Sequence, residues 1–125
     1  MKLQLIDGNF AVCRLAPDSA WSLPVASGFV SMTRTPDELS IVCEESLVPA
    51  ETTHVELGWR MFRVAGPIAF DVVGLLASLT APLAAANISI FAQSTFDTDY
   101  LMVNADKLDV AVQVLTTAGF EVAPN

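Results

Sequence analysis

The chain has 125 residues, 53% hydrophobic and only 16% charged, and its 14 acidic residues against 6 basic ones give a formal net charge of −8. That length suits one domain or two half-size units, with a core large enough to need no disulfide staples. The charge argues against nucleic acid, whose phosphates are held by Lys/Arg clusters, and against an anionic membrane surface; it leaves solubility, or a preference for cationic and zwitterionic ligands.

So high an apolar fraction leaves surface to be covered, and a homo-oligomer is expected. Met1-Lys2 leads into Leu-Gln-Leu-Ile-Asp, too short and too polar for a signal peptide. Val72 to Ala86 is apolar but interrupted by Ser78, Thr80 and Pro82, and too short to span a bilayer. A cytoplasmic protein is expected, with Cys13 and Cys43 as small buried hydrophobes; a disulfide between them cannot be read from sequence.

Phe10 to Leu15 reads as a strand after the turn-forming Asp7-Gly8-Asn9. Ala16 to Ala26, with two prolines, reads as a poor helix or a 3₁₀ turn closed by Gly28. Phe29–Thr33 and Leu39–Cys43 then form a hairpin around Thr35-Pro36-Asp37-Glu38, where proline presets φ. Ser46 to Glu51 is short and irregular or helical, and Val55 to Val64 is extended.

The second half is more regular. After Gly66-Pro67, Phe70-Asp71 opens a helix to about Ala86, with Val72, Leu75, Leu76, Leu79 and Leu83 on one face and Asn87 as its stop. Ile88–Gln93 and Tyr100–Val103 are strands joined by a polar turn. Asn104-Ala105-Asp106 offers capping side chains to a helix over about Lys107 to Ala118, whose apolar face is Leu108, Ala111, Val112 and Leu115. Gly119 ends it, and Phe120–Val122 is the last strand. With Trp59–Val64 as first strand, the order is βαββαβ, the ferredoxin-like arrangement of an antiparallel sheet with two helices on one face. The first half repeats that order with degenerate helices.

Thr33 to Val42 lies over Ser94 to Val103 at a constant offset of 61, extending to Leu47 over Leu108. On that alignment Glu38 meets Asp99, and each half carries an acidic turn between its second and third strands.

Three stretches resemble the ACT domain: Phe70-Asp71-Val72-Val73-Gly74-Leu75-Leu76-Ala77, then Pro82-Leu83-Ala84, then Ile88 to Val103 with Ser94-Thr95-Phe96-Asp97-Thr98-Asp99 inside it. More narrowly they are similar to bacterial tandem ACT proteins related to the eukaryotic cytosolic arginine sensor. The resemblance covers Trp59 to Val122 closely and the first half only in element order. It implies an α+β chain of two tandem ferredoxin-like (βαββαβ) ACT units, 1–58 and 59–125. It also implies a non-catalytic regulatory role, an amino acid bound at a domain interface, and sheets that pair side by side. Position by position, Gly74 matches a glycine near the ligand. Thr95 and Phe96 match a Thr-Phe pair, and Asp99 matches the acid that faces a guanidinium. Thr98 departs from the pattern, which has Phe there. Two units against the sensor's four imply a homodimer.

Read as residues alone, each candidate has a structural alternative. Asp99 and Asp97 can pair with a cation or bond their own turn. Ser94 and Thr95 can meet a ligand carboxylate or cap the hairpin, and Phe96 can wall a pocket or pack. Gly74 within a helical pattern costs about 1 kcal/mol relative to Ala, which close packing or a ligand would explain. The Gly66-Pro67 turn precedes a helix start whose N–H groups suit a carboxylate. His54 is the only histidine, and no Cys/His/Asp spacing suits a metal. No nucleophile–base pair or glycine-rich phosphate loop is present, so no enzyme activity, metal or cofactor is expected. Asp37-Glu38 and Asp97-Thr98-Asp99 read as exposed acidic turns rather than an acid–base pair. The competing functions are an interaction module without ligand and, less favoured, a small enzyme.

Overall fold

Leu3, Phe62, Val64, Leu101 and Val103 alternate along three strands and so share one side of their sheet, where Leu79, Leu83, Ala111 and Leu115 of two helices bury against them. The computed structural model that shows this core describes residues 1–22, 28–69 and 73–124. Its strands are β1 (Lys2–Leu15), β2 (Ser31–Arg34), β3 (Leu39–Glu44), β4 (His54–Val64), β5 (Ile90–Ser94), β6 (Asp99–Asn104) and β7 (Glu121–Pro124); its helices are α1 (Leu75–Ala85) and α2 (Leu108–Thr117). The fold is α+β: β3 runs antiparallel to both β1 and β2, and β5 to β6, while β7 runs parallel to β1.

Two compact units divide the chain, Gly8–Trp59 and a discontinuous one of Met1–Asp7 with Arg60–Asn125. The first seven residues thus belong with the C-terminal part of the chain. The expected break at Asp7-Gly8-Asn9 is not there. β1 runs unbroken through Gly8, which takes φ 97 without leaving the strand.

In the C-terminal unit the strand order is β5-β6-β4-β1-β7. The opening residues of β1 lie between β4 and β7, with Ala65 N–H donating to the Lys2 carbonyl at 2.9 Å and Lys2–Leu5 in register with Glu121–Pro124. Removing that strand leaves the ferredoxin-like order. Both helices pack on one sheet face. Ala111 and Leu115 are the buried residues of α2, and Leu108, Val112 and Val114 pack beside them. Gly119 at φ 101 closes this helix, and Asn87 at φ 60 follows α1. The expected side-chain cap on α2 is not formed. A 3₁₀ turn, Ala105–Lys107, leads into the helix instead, and neither Asn104 nor Lys107 caps with its side chain.

In the N-terminal unit the order is β2-β3-β1-β4. Ala11, Cys13, Leu15, Leu39, Ile41 and Cys43 bury one face. Where the C-terminal unit has helices, the described residues of this unit form the 3₁₀ turn Glu45–Leu47 and loops; Trp21, Val30, Leu47 and Val48 cover the core. Of the poor helix expected over Ala16–Ala26, residues 17 and 18 form a turn and 23–27 lie outside the described residues.

The hairpins correct the repeat. Arg34 pairs with Leu39 at the close of β2–β3, and Ser94 with Asp99 at the close of β5–β6. Both differences (94 − 34 and 99 − 39) are 60, not 61. The 3₁₀ turns after each hairpin are also 60 apart. Thr35 therefore corresponds to Thr95, Asp37 to Asp97, Glu38 to Thr98 and Leu39 to Asp99. The acids Glu38 and Asp99 do not coincide, and fully buried Leu39 stands in the place of Asp99.

Candidate functional site

The β5–β6 turn is built by Thr95. Its N–H donates to the Thr98 carbonyl at 2.8 Å, its hydroxyl donates to the same carbonyl at 3.2 Å, and Thr98 N–H returns to Thr95 Oγ1 at 3.4 Å. The turn is anchored to the loop after β4 at two points. Ile68 N–H donates to the Asp97 carbonyl at 2.8 Å, and Thr98 Oγ1 donates to the Val64 carbonyl at 2.7 Å. Thr98 is only 3% exposed, and its hydroxyl is spent on securing the turn. A buried hydroxyl needs such a partner, and the β4 carbonyl at the strand's end needs a donor.

Opposite the turn stands the start of α1. The helix begins at Leu75, later than the Phe70-Asp71 start expected from the pattern; residues 70–72 lie outside the described residues. Gly74 is not inside the helix. It is the N-cap, at φ 80 and ψ 4, a left-handed conformation that L side chains avoid. The glycine has no side-chain cap to offer, so the first N–H groups of α1 face outward from the helix end.

Between these two elements lies a cavity of about 420 Å³ lined by Ile68, Ala69, Gly74–Ala77 and Ser94–Asp99. All seven residues singled out in the sequence, Gly74, Ser94, Thr95, Phe96, Asp97, Thr98 and Asp99, thus line one concavity. They differ in what they present. Ser94 Oγ donates to Asp99 Oδ1 at 2.5 Å and pins that carboxylate at the cavity wall. Asp97 is exposed, while its carbonyl holds the loop. Phe96 is 81% exposed at the rim and belongs to no core. Leu75, Leu76 and Ile68, which sequence reading did not select as site residues, add apolar wall. Leu75 and Leu76 carried a signal only in their helical spacing, which also fits plain core, and Ile68 carried none.

Among the described residues, the lining carries two carboxylates and no basic side chain. A negative pole, Asp97 and Asp99, faces a positive one, the amino end of α1. Among the described residues no group of three or more His, Cys, Asp and Glu could hold a metal ion. His54 is exposed, its Nδ1 3.1 Å from Thr53 Oγ1. Asp37 and Glu38 N–H groups bond Thr35 Oγ1, as expected of an acidic turn. No helix among the described residues is long and apolar enough to cross a membrane.

An ACT-domain family profile matches residues 54–117, just over half of the chain, and a second profile, for an N-terminal domain, matches 8–51. The chain is 43% identical over 121 residues to the cytosolic arginine sensor for mTORC1 subunit 1 of Pongo abelii, taking in 89% of this chain and 36% of that protein. The chain thus spans about a third of the length of that curated relative. A crystal structure of an Agrobacterium tumefaciens protein superposes with a TM-score of 0.88 at 38% identity, over 99% of this chain and 92% of that one. The regulatory subunit of aspartate kinase from Thermus thermophilus, in its ligand-free form, shares the fold, with a TM-score of 0.60 at 12% identity over 94% of both chains.

Proposed function

The chain belongs to the ACT-domain family, and from that premise we propose that it is a non-catalytic regulatory protein that binds an amino acid in the cavity between the start of α1 and the β5–β6 turn. One observation carries the reading: the cavity is bipolar. An amino acid offers a carboxylate and at least one cationic group, and the two ends of this cavity answer both. The α-carboxylate goes to the N–H groups at the start of α1, which its partial positive charge favours. A cationic group goes to Asp99, already oriented by Ser94. The side chain runs along Leu75, Leu76 and Phe96. Amino acids with a cationic side chain fit best, in line with the arginine sensor to which the chain is related.

In this reading the two compact units are a tandem pair of ferredoxin-like units, the first with its helices reduced to a loop and a 3₁₀ turn. The protein acts in the cytoplasm as a homodimer, and a second copy closes the open side of the cavity. Ser94, Thr95, Asp97 and Asp99 supply polar contacts, Gly74 the close approach at the helix end and Phe96 an apolar rim; Thr98 holds the turn in place.

Thermal denaturation of the purified full chain across the common amino acids tests this. A ligand that binds only the folded state, at about 100 times its Kd, stabilises by about 2.7 kcal/mol, a rise in Tm of several degrees. Lysine, arginine or ornithine should produce it, and glutamate should not. A folded sample that responds to no amino acid would overturn the proposal.

A further inference from the structure

The 60-residue register puts Arg34 of the N-terminal unit where the C-terminal unit has Ser94, each the last residue of the first hairpin strand. In the C-terminal unit this position opens on the cavity. In the N-terminal unit the Arg34 guanidinium crosses from the hairpin to the loop after β1. There Nη1 donates to the Pro17 carbonyl and Nη2 donates to the Ser19 carbonyl at 2.8 Å. A second guanidinium also binds this hairpin: Arg14 Nη2 donates to the Asp37 carbonyl at 3.1 Å. Asp37 corresponds to Asp97, whose carbonyl is held by a backbone N–H, that of Ile68. The turns themselves are alike, since Thr35 N–H donates to the Glu38 carbonyl at 2.9 Å as Thr95 does to Thr98.

We propose that the N-terminal unit contains a self-occupied counterpart of the C-terminal cavity, with the side chain of Arg34 as its built-in guanidinium ligand. Three observations agree. The carboxylate of Asp99 is replaced by buried Leu39, so no acid at that place awaits an external cation. The guanidinium instead satisfies two backbone carbonyls of the loop, an arrangement that needs its forked donors and that a lysine cannot copy. A hollow of about 470 Å³ beside this loop is lined, among the described residues, by Ala16, Ser19, Ala20, Trp21 and Glu51, none of them in the hairpin. The N-terminal unit therefore carries its guanidinium on an exposed residue of its own chain, and the chain offers one exchangeable site, not two. Removing the Arg34 side chain should open a site selective for guanidinium-type cations.

The test uses the full chain and its Arg34→Ser variant, which copies the C-terminal residue. Melting is followed with and without millimolar methylguanidinium, and with methylammonium as a control. Arg34→Ser should melt several degrees lower than the parent. Methylguanidinium should raise the melting temperature of the variant by more than that of the parent, and methylammonium should shift the two alike. A variant that melts like the parent, or equal shifts of both proteins by methylguanidinium, would overturn the proposal. Should Arg34→Ser not fold, Arg34→Ala serves the same comparison. Calorimetric titration of the parent with a cationic amino acid adds a second readout: one ligand per chain is expected, and two would overturn the inference. If no amino acid binds the parent, the function proposed for the C-terminal cavity fails, while the methylguanidinium comparison still decides the state of the N-terminal unit.

Discussion

Ser94 and Asp99 face one another across the last register pair of the β5–β6 hairpin, with Ser94 Oγ donating to Asp99 Oδ1 at 2.5 Å. The bond fixes the carboxylate against the cavity wall before any ligand arrives. Asp99→Asn keeps the shape and removes the charge. A charge-assisted bond is worth about 1.5–3 kcal/mol, so Kd for a cationic amino acid should rise by about 10- to 150-fold. Stability should stay within about 0.5 kcal/mol, since the residue is partly exposed and outside the core. Ser94→Ala should weaken binding in the same direction and by less, because the charge remains and only its orientation is released. Titration calorimetry beside a urea melt separates the two effects.

Thr98 has the opposite profile. Its hydroxyl is buried and donates to the Val64 carbonyl, so Thr98→Val leaves a carbonyl without its donor while keeping the volume. A loss of about 1–2 kcal/mol is expected in chemical denaturation. Thr98→Ser should recover most of the loss. Binding should fall with Thr98→Val as well, because the turn that carries Asp97 and Asp99 is secured by this bond.

Gly74 offers a test by sign. Inside a helix, replacement by Ala would stabilise by about 1 kcal/mol. At φ 80 on the N-cap, an added Cβ would meet nothing within 4 Å, so the cost is backbone strain alone. Gly74→Ala should therefore destabilise, by about 1–2 kcal/mol. Gly74→Asn should lose less, since Asn tolerates the left-handed region better. Thermal melts of the two variants against the parent settle the sign.

Much of this was open to reading from sequence, and the exceptions have physical causes. Strands β3 to β6 and helix α2 follow from apolar spacing, and Gly119 marks the end of α2. The location of the cavity turn followed from a run of hydroxyls and acids between two strands. The register of the repeat was not legible. Ile41-Val42-Cys43 and Leu101-Met102-Val103 are consecutive residues buried on both sheet faces. A slip of one residue still lays apolar on apolar, and the usual face alternation cannot reject it. The Thr35 and Thr95 hydrogen bonds do reject it, and they exist only in three dimensions. The placing of Lys2–Leu5 between β4 and β7 was equally hidden, because a parallel pairing across more than a hundred residues leaves no local pattern. Gly74 misled because Leu75, Leu76, Leu79 and Leu83 set a helical period that Val72 continues backward, whereas the described helix begins only after the glycine.

Cys13 and Cys43 give a prediction in pH. They lie on the neighbouring strands β1 and β3, on one face of the N-terminal core, as free thiols. Burial, with Cys13 beside it, pushes the Cys43 thiol from its ordinary 9.0 up to about 12; burial raises Cys13 as well. Below the unfolded value both states hold the proton and the contribution to stability is intact. Above it the unfolded chain releases the proton and the folded chain keeps it, so stability falls as pH rises from about 9 toward about 12. For one such thiol the slope approaches about 1.4 kcal/mol per pH unit. Lysine and tyrosine titrate in the same range, so the comparison is with Cys43→Ala. That variant starts less stable, having lost buried volume, yet its stability should decline less steeply. Urea denaturation of both proteins at about pH 8 and about pH 10.5 reads the two slopes, and parallel slopes would show that this thiol ionises as readily in the folded protein as in the unfolded chain.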